Sequence, residues 1–82
     1  MFSMDDLYAI MREVFGLRTF RFTPDMTSKD VPGWNSLNHT VLLMEIESET
    51  SVDLTAEETL ALPTIGSLYE RIVSKPHENK GR

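Results

Sequence analysis

Cysteine is absent from the 82 residues, so neither disulfides nor thiolate metal centres hold the chain together. That suits a reducing compartment, and a cytoplasmic location is expected. No apolar run approaches the roughly 20 residues needed to span a bilayer. Asp5 and Asp6 stand where a secretory leader would carry Lys or Arg, so no leader is expected either. Lys and Arg are missing from the whole interval between Lys29 and Arg71. That interval contains Asp30, Glu45, Glu47, Glu49, Asp53, Glu57, Glu58 and Glu70, a formal −8 against −5 for the entire chain. A field of one sign over half the sequence repels nucleic acid and steers basic partners. The length allows one small domain with a single modest core.

What is present is mostly helical. Ser3 followed by Asp6 reads as a helix start, and Leu7, Ile10, Met11 and Val14 recur on one face. Gly16 is the expected stop. This first helix reads as scaffold. Residues 17–35 lack helical periodicity. Thr19 to Thr23 alternates like a strand, but a lone strand has no partner. The expectation is an ordered loop pinned by Phe20, Phe22 and Val31 and punctuated by Pro24 and Pro32-Gly33. Thr55 with Glu58 forms a capping box that opens a short helix ending before Pro63. Thr64 caps a last helix with Ile65, Leu68, Tyr69 and Ile72 inward. The result is an all-α bundle of three main helices and one short one. It is expected to occupy residues 1–75, with a disordered polar tail over 76–82.

The stretch Gly33-Trp34-Asn35-Ser36-Leu37-Asn38-His39 organises the rest. Asn35 or Ser36 caps the helix that follows, and Trp34 packs over His39 in a staple-like contact if Asn35 is the cap. A helix start favours anions through its free N–H groups and its positive dipole end. Ser36 is therefore well placed to carry a phosphate ester. From Ser36 to about Glu49 the helix has two apolar sides. His39, Leu42, Leu43 and Ile46 lie on one; Leu37, Val41 and Met44 lie nearly opposite, flanked by Glu45 and Glu47. One side serves the core, so the second is expected to meet a partner. Met44 adds adaptability to such a surface.

Other chemistry fits poorly. His39 lies within helical reach of Ser36, but no third group orients it and the strained Gly-x-Ser-x-Gly turn is missing. No catalytic residue is assigned and the chain is not read as an enzyme. Glu45, Glu47 and Glu49 are spaced by two, which splays them around a helix, so no metal site is assigned.

The Trp34-Asn35-Ser36-Leu37 motif and the helix behind it resemble the attachment motif of acyl and peptidyl carrier proteins. The likeness continues through Leu42, Leu43, Ile46 and Glu47, then Val52, Leu54, Glu57-Glu58 and Thr64-Ile65-Gly66, nearly the whole chain in one register. It implies that Ser36 carries a covalent phosphopantetheine arm, installed from coenzyme A by a phosphopantetheinyl transferase. The arm's thiol would hold acyl or aminoacyl groups as thioesters for acyl-activating and acyl-transferring enzymes of fatty acid, polyketide, peptide or lipid biosynthesis. Those enzymes would dock through Leu37, Val41, Met44, Glu45 and Glu47, and a monomer is the expected state for such a shuttle. Leu42, Leu43, Ile46, Leu54, Leu62, Leu68 and Tyr69 would line either an interior acyl cleft or an ordinary packed core. The family's usual aspartate before the serine is Asn35 here. It keeps the size and a carbonyl ligand but loses the charge, so slower modification or a different transferase is expected. The alternative is an unmodified helical adaptor that uses a carrier-like fold only to bind proteins.

Overall fold

The computed structural model describes residues 1–75, and the expected tail from residue 76 lies outside them. Four α-helices follow in order: α1 (Met4–Phe15), α2 (Ser36–Thr50), α3 (Ala56–Leu60) and α4 (Ile65–Ser74). A single 3-10 turn, Ser28–Asp30, interrupts the long loop between α1 and α2. No strand occurs among the described residues, so the alternating stretch at Thr19 to Thr23 is loop, as expected.

Side-chain caps set the helix starts. Ser3, Thr55 and Thr64 each accept the backbone N–H three residues on, and in each case that residue's side chain reaches back to the cap. Gly16 ends α1 in the left-handed region at φ 69°. Ser51 ends α2 in the same region at φ 63°, a conformation costing a non-glycine residue about 1 kcal/mol.

Helices α1 and α2 run antiparallel. Asp6 near the start of α1 borders the same depression as Glu49 and Thr50 at the end of α2. At the other end, Phe15 packs on Trp34, with ring centroids 5.4 Å apart. Leu7 and Met11 of α1, Leu42 and Ile46 of α2, and Ile65 and Ile72 of α4 form the solvent-free centre. Val31, Val52, Leu54 and Leu68 close it. Burying these side chains is the main stabilising term, at roughly 1.5–3 kcal/mol for each large one.

The long loop is fastened at several points. Phe22 is buried and stacks on Tyr8 of α1, while the Arg12 guanidinium lies over the Phe22 ring and donates to Phe20 O at 3.1 Å. At the far side, Ile65 N donates to Met26 O and Gly66 N to Pro24 O, at 2.9 and 2.8 Å. A side chain at Gly66 would bring a Cβ within 3.1 Å of Pro24 O, so glycine is what lets the loop dock on the start of α4. Held this way, the loop delivers the chain to Ser36 in one position.

The short helix α3 faces the core through Thr59, not Leu60: a five-residue helix can turn only one side inward, and Leu60 is 69% exposed. Leu62 and Tyr69 only edge the core, whereas Leu42, Leu43, Ile46, Leu54 and Leu68 are buried in it. Tyr69 keeps its phenol at the rim, donating to Phe2 O at 3.1 Å.

Candidate functional site

Asn35 is the cap of α2. Its Oδ1 accepts the Asn38 N–H at 2.9 Å, and its backbone carbonyl accepts His39 N at 2.8 Å. Asn38 answers by donating its side-chain amide to Gly33 O at 2.8 Å, which ties the entry turn to the helix it opens. Gly33 sits at φ 85°, a left-handed turn position where a side chain would be strained. These contacts leave Ser36 as the first residue of a 15-residue helix, exposed, with no hydrogen bond recorded for its Oγ among the described residues. The backbone N–H groups of Ser36 and Leu37 likewise have no protein acceptor there. A nucleophilic oxygen thus stands beside two free donors at the positive end of a helix, a setting suited to a phosphodiester.

Behind the serine stands a hydrogen-bonded relay. Trp34 Nε1 donates to His39 Nδ1 at 3.0 Å, with the two rings stacked 6.1 Å apart. An indole only donates, so Nδ1 is the acceptor and the neutral ring carries its proton on Nε2. Nε2 then donates to Thr59 Oγ1 at 2.7 Å, and the threonine hydroxyl has Thr55 O at 3.0 Å and Ala56 O at 3.1 Å as acceptors. Burial lowers the His39 pKa from its ordinary 6.5, which favours this neutral form. The relay locks the residue two before Ser36 to α3. His39 is thus a core-edge histidine, as its sequence position implied, and not a base for Ser36. A small cavity of about 60 Å³ lies beside the relay, bordered by Trp34, His39, Leu60, Leu62 and Leu68.

The second apolar side of α2 stays open. Leu37 is 73% and Met44 62% exposed, Val41 is 36% exposed, and Glu45 and Glu47 are exposed beside them. No other segment among the described residues covers Leu37 or Met44. Leu60 adds an exposed apolar side chain on neighbouring α3. Sequence reasoning missed Leu60 because a five-residue helix carries too little periodicity to assign a face. It missed Thr59 as the histidine's partner because the contact spans 20 residues.

The fit to a phosphopantetheine arm is good: an unobstructed hydroxyl, free backbone donors, and an apolar stripe starting one residue later. Among the described residues, no helix is long and apolar enough to cross a membrane.

Comparison with known proteins agrees with this geometry. The family model for a phosphopantetheine attachment site matches residues 5–72. The acyl carrier protein MbtL of Mycolicibacterium paratuberculosis is 33% identical over 75 residues, covering 92% of this chain and 84% of that one. No solved structure matches the chain significantly. The matched domain is one to which phosphopantetheine is covalently attached. Members of such a family act as carriers for biosynthetic enzymes after modification by a phosphopantetheinyl transferase, and are generally not catalysts themselves. With a match that spans most of the chain and a relative aligned over nearly its full length, this protein belongs to the acyl carrier protein family.

Proposed function

We propose that residues 1–75 form an acyl carrier domain whose Ser36 bears the phosphopantetheine arm, and that the chain catalyses nothing itself. In loading, Ser36 Oγ bonds to the coenzyme A phosphorus that carries the pantetheine arm. The phosphoanhydride bond breaks, the adenosine half leaves, and the serine proton passes to a base of the transferase. The arm's thiol supplies thioester chemistry. The chain's own residues present the attachment point. Asn35 holds the helix start open, Trp34 and His39 fix its direction, and Ser36 faces solvent.

The observation that carries this reading is the exposed, unpartnered Ser36 hydroxyl at the start of α2. Leu37, Val41, Met44, Glu45 and Glu47 form the docking stripe for the transferase and the acyl-handling enzymes. Its apolar centre supplies contact area and its acidic edges steer basic partners at high encounter rates. Tethering raises the effective concentration of cargo at each docked enzyme. The cargo is an acyl group, or an aminoacyl group; the relative's name favours the former. The working state is a cytoplasmic monomer.

Intact mass measured after incubation with coenzyme A and a phosphopantetheinyl transferase tests the assignment. The expected result is a gain of one phosphopantetheine group in the wild type and none in Ser36→Ala. No gain with several transferases, or a gain retained in Ser36→Ala, overturns it.

A further inference from the structure

A groove runs between α1 and α2 on the flank of the docking stripe. Its apolar lining is Ala9, Ile10 and Val14 from α1 and Val41 from α2. Carboxylates stand along both walls, Asp6 and Glu13 on α1 and Glu45 and Glu49 on α2. The spacing is regular. Asp6 and Glu13 are seven residues apart, about 10 Å along the helix, and Glu45 and Glu49 are one turn apart, about 6 Å. No ion pair involves any of these four carboxylates among the described residues; the cations that do pair there, Arg71 and Lys75, both go to Glu58. Arg12 is turned away toward Phe20 O. An acid-walled furrow with an apolar bottom complements one kind of occupant.

We propose that this groove receives a basic amphipathic helix of a partner protein, its apolar ridge on Ile10, Val14 and Val41 and its Lys or Arg side chains on both walls. A second copy of this chain fits badly, since like charges would face each other across the contact. Val41 lies five residues beyond Ser36 and belongs also to the stripe of the carrier reading, on which the groove's use in cargo transfer rests. Helix α1 then has a role beyond scaffold: it forms half of a second approach to the serine, from the side away from α3.

The test is chemical-shift mapping on the full chain with a synthetic helical peptide that carries a leucine ridge edged by arginines on both sides. A scrambled peptide of equal composition is the control. Amide shifts should cluster on α1 and α2 from Asp6 to Val14 and Val41 to Glu49. The double variant Glu13→Gln/Glu49→Gln should weaken binding about fivefold, the effect of losing two exposed ion pairs, while Glu57→Gln should change it less than about twofold. Shifts centred on Leu37 and Leu60 that spare Asp6 to Val14, equal binding of the scrambled peptide, or an unchanged double variant would each overturn the proposal. So would concentration-dependent dimerisation that moves the same amides without peptide. Loading of Ser36, read separately by mass, keeps failure here distinct from failure of the carrier reading.

Discussion

The Trp34 indole N–H is hydrogen-bonded to His39 Nδ1, so the residue two before the serine dictates which nitrogen of the histidine holds the proton. That choice propagates 20 residues away, because only the Nε2–H form can donate to Thr59 while the threonine serves the Ala56 carbonyl of α3. Protonating His39 adds a hydrogen at Nδ1 and removes the acceptor Trp34 needs. The opening turn of α2 is therefore coupled to the charge state of one ring.

That coupling has a pH signature. The folded state holds His39 below its ordinary 6.5, so the unfolded chain takes up a proton that the native chain refuses. The contribution is complete above pH 6.5 and is lost as pH falls through the depressed folded value. Urea melts of wild type and His39→Gln at pH 7.5 and 5.5 isolate it. The wild type should lose more stability across that interval than the variant. His39→Ala should cost about 2–3 kcal/mol at pH 7.5, because it leaves a cavity and removes a partner from both Trp34 and Thr59.

Asn35 divides a structural task from a chemical one. Its side-chain carbonyl already caps α2, a job that aspartate does equally well. Asn35→Asp should leave stability within about 0.5 kcal/mol while restoring a negative charge beside Ser36. Loading by a transferase that uses a divalent cation should then accelerate, since hard cations prefer carboxylate to amide oxygen. Asn35→Ala should cost about 1 kcal/mol in chemical denaturation, the usual loss of a cap. Initial loading rates by mass, set beside denaturant midpoints, separate the two tasks.

How much of this was legible in the sequence depended on range. The caps at Ser3, Thr55 and Thr64 declare themselves within three residues, and the two stripes of α2 follow from helical spacing alone. The exposed serine and the open face of Leu37 and Met44 follow from the same local rules. Contacts between distant segments left no such mark. Nothing near His39 announces Thr59, and nothing in α1 announces that Glu13 faces the same groove as Glu45. Glu58 shows the boundary within one residue: its capping-box role is readable from Thr55, but its pairing with α4 is not.

Glu58 accepts the Thr55 N–H at 2.9 Å, and its two oxygens also meet Arg71 at 2.7 Å and Lys75 at 2.9 Å. The Thr55 N–H foremost, then Lys75 and Arg71, pull its pKa from 4.5 down to about 2. Such a depressed carboxylate contributes stability that is complete above about pH 4.5 and is lost as pH falls toward 2. Glu58→Gln should destabilise by on the order of 1 kcal/mol at pH 7, kept small by solvent screening. Raising salt should narrow the gap, and lowering pH through that window should close it. A gap that stays constant from pH 7 to pH 3 would assign the loss to packing rather than charge.

Met44 tests whether the open side of α2 is used. Its side chain is 62% exposed, so Met44→Arg removes no core contact and should shift the denaturation midpoint little, within the roughly 0.5 kcal/mol of an ordinary surface change. The substituted arginine would stand among Glu45 and Glu47 and reverse the local field that draws basic partners in. A loss of about tenfold in transferase kcat/KM is expected, as for a central interface side chain worth more than about 1 kcal/mol. The loss should appear mainly in KM, because docking and not the serine is altered. Ser74→Arg is the comparison: also exposed, it stands at the end of α4, away from the stripe, and should load within about twofold of wild type. If both variants load alike, Leu37 and Met44 are exposed for some reason other than enzyme docking.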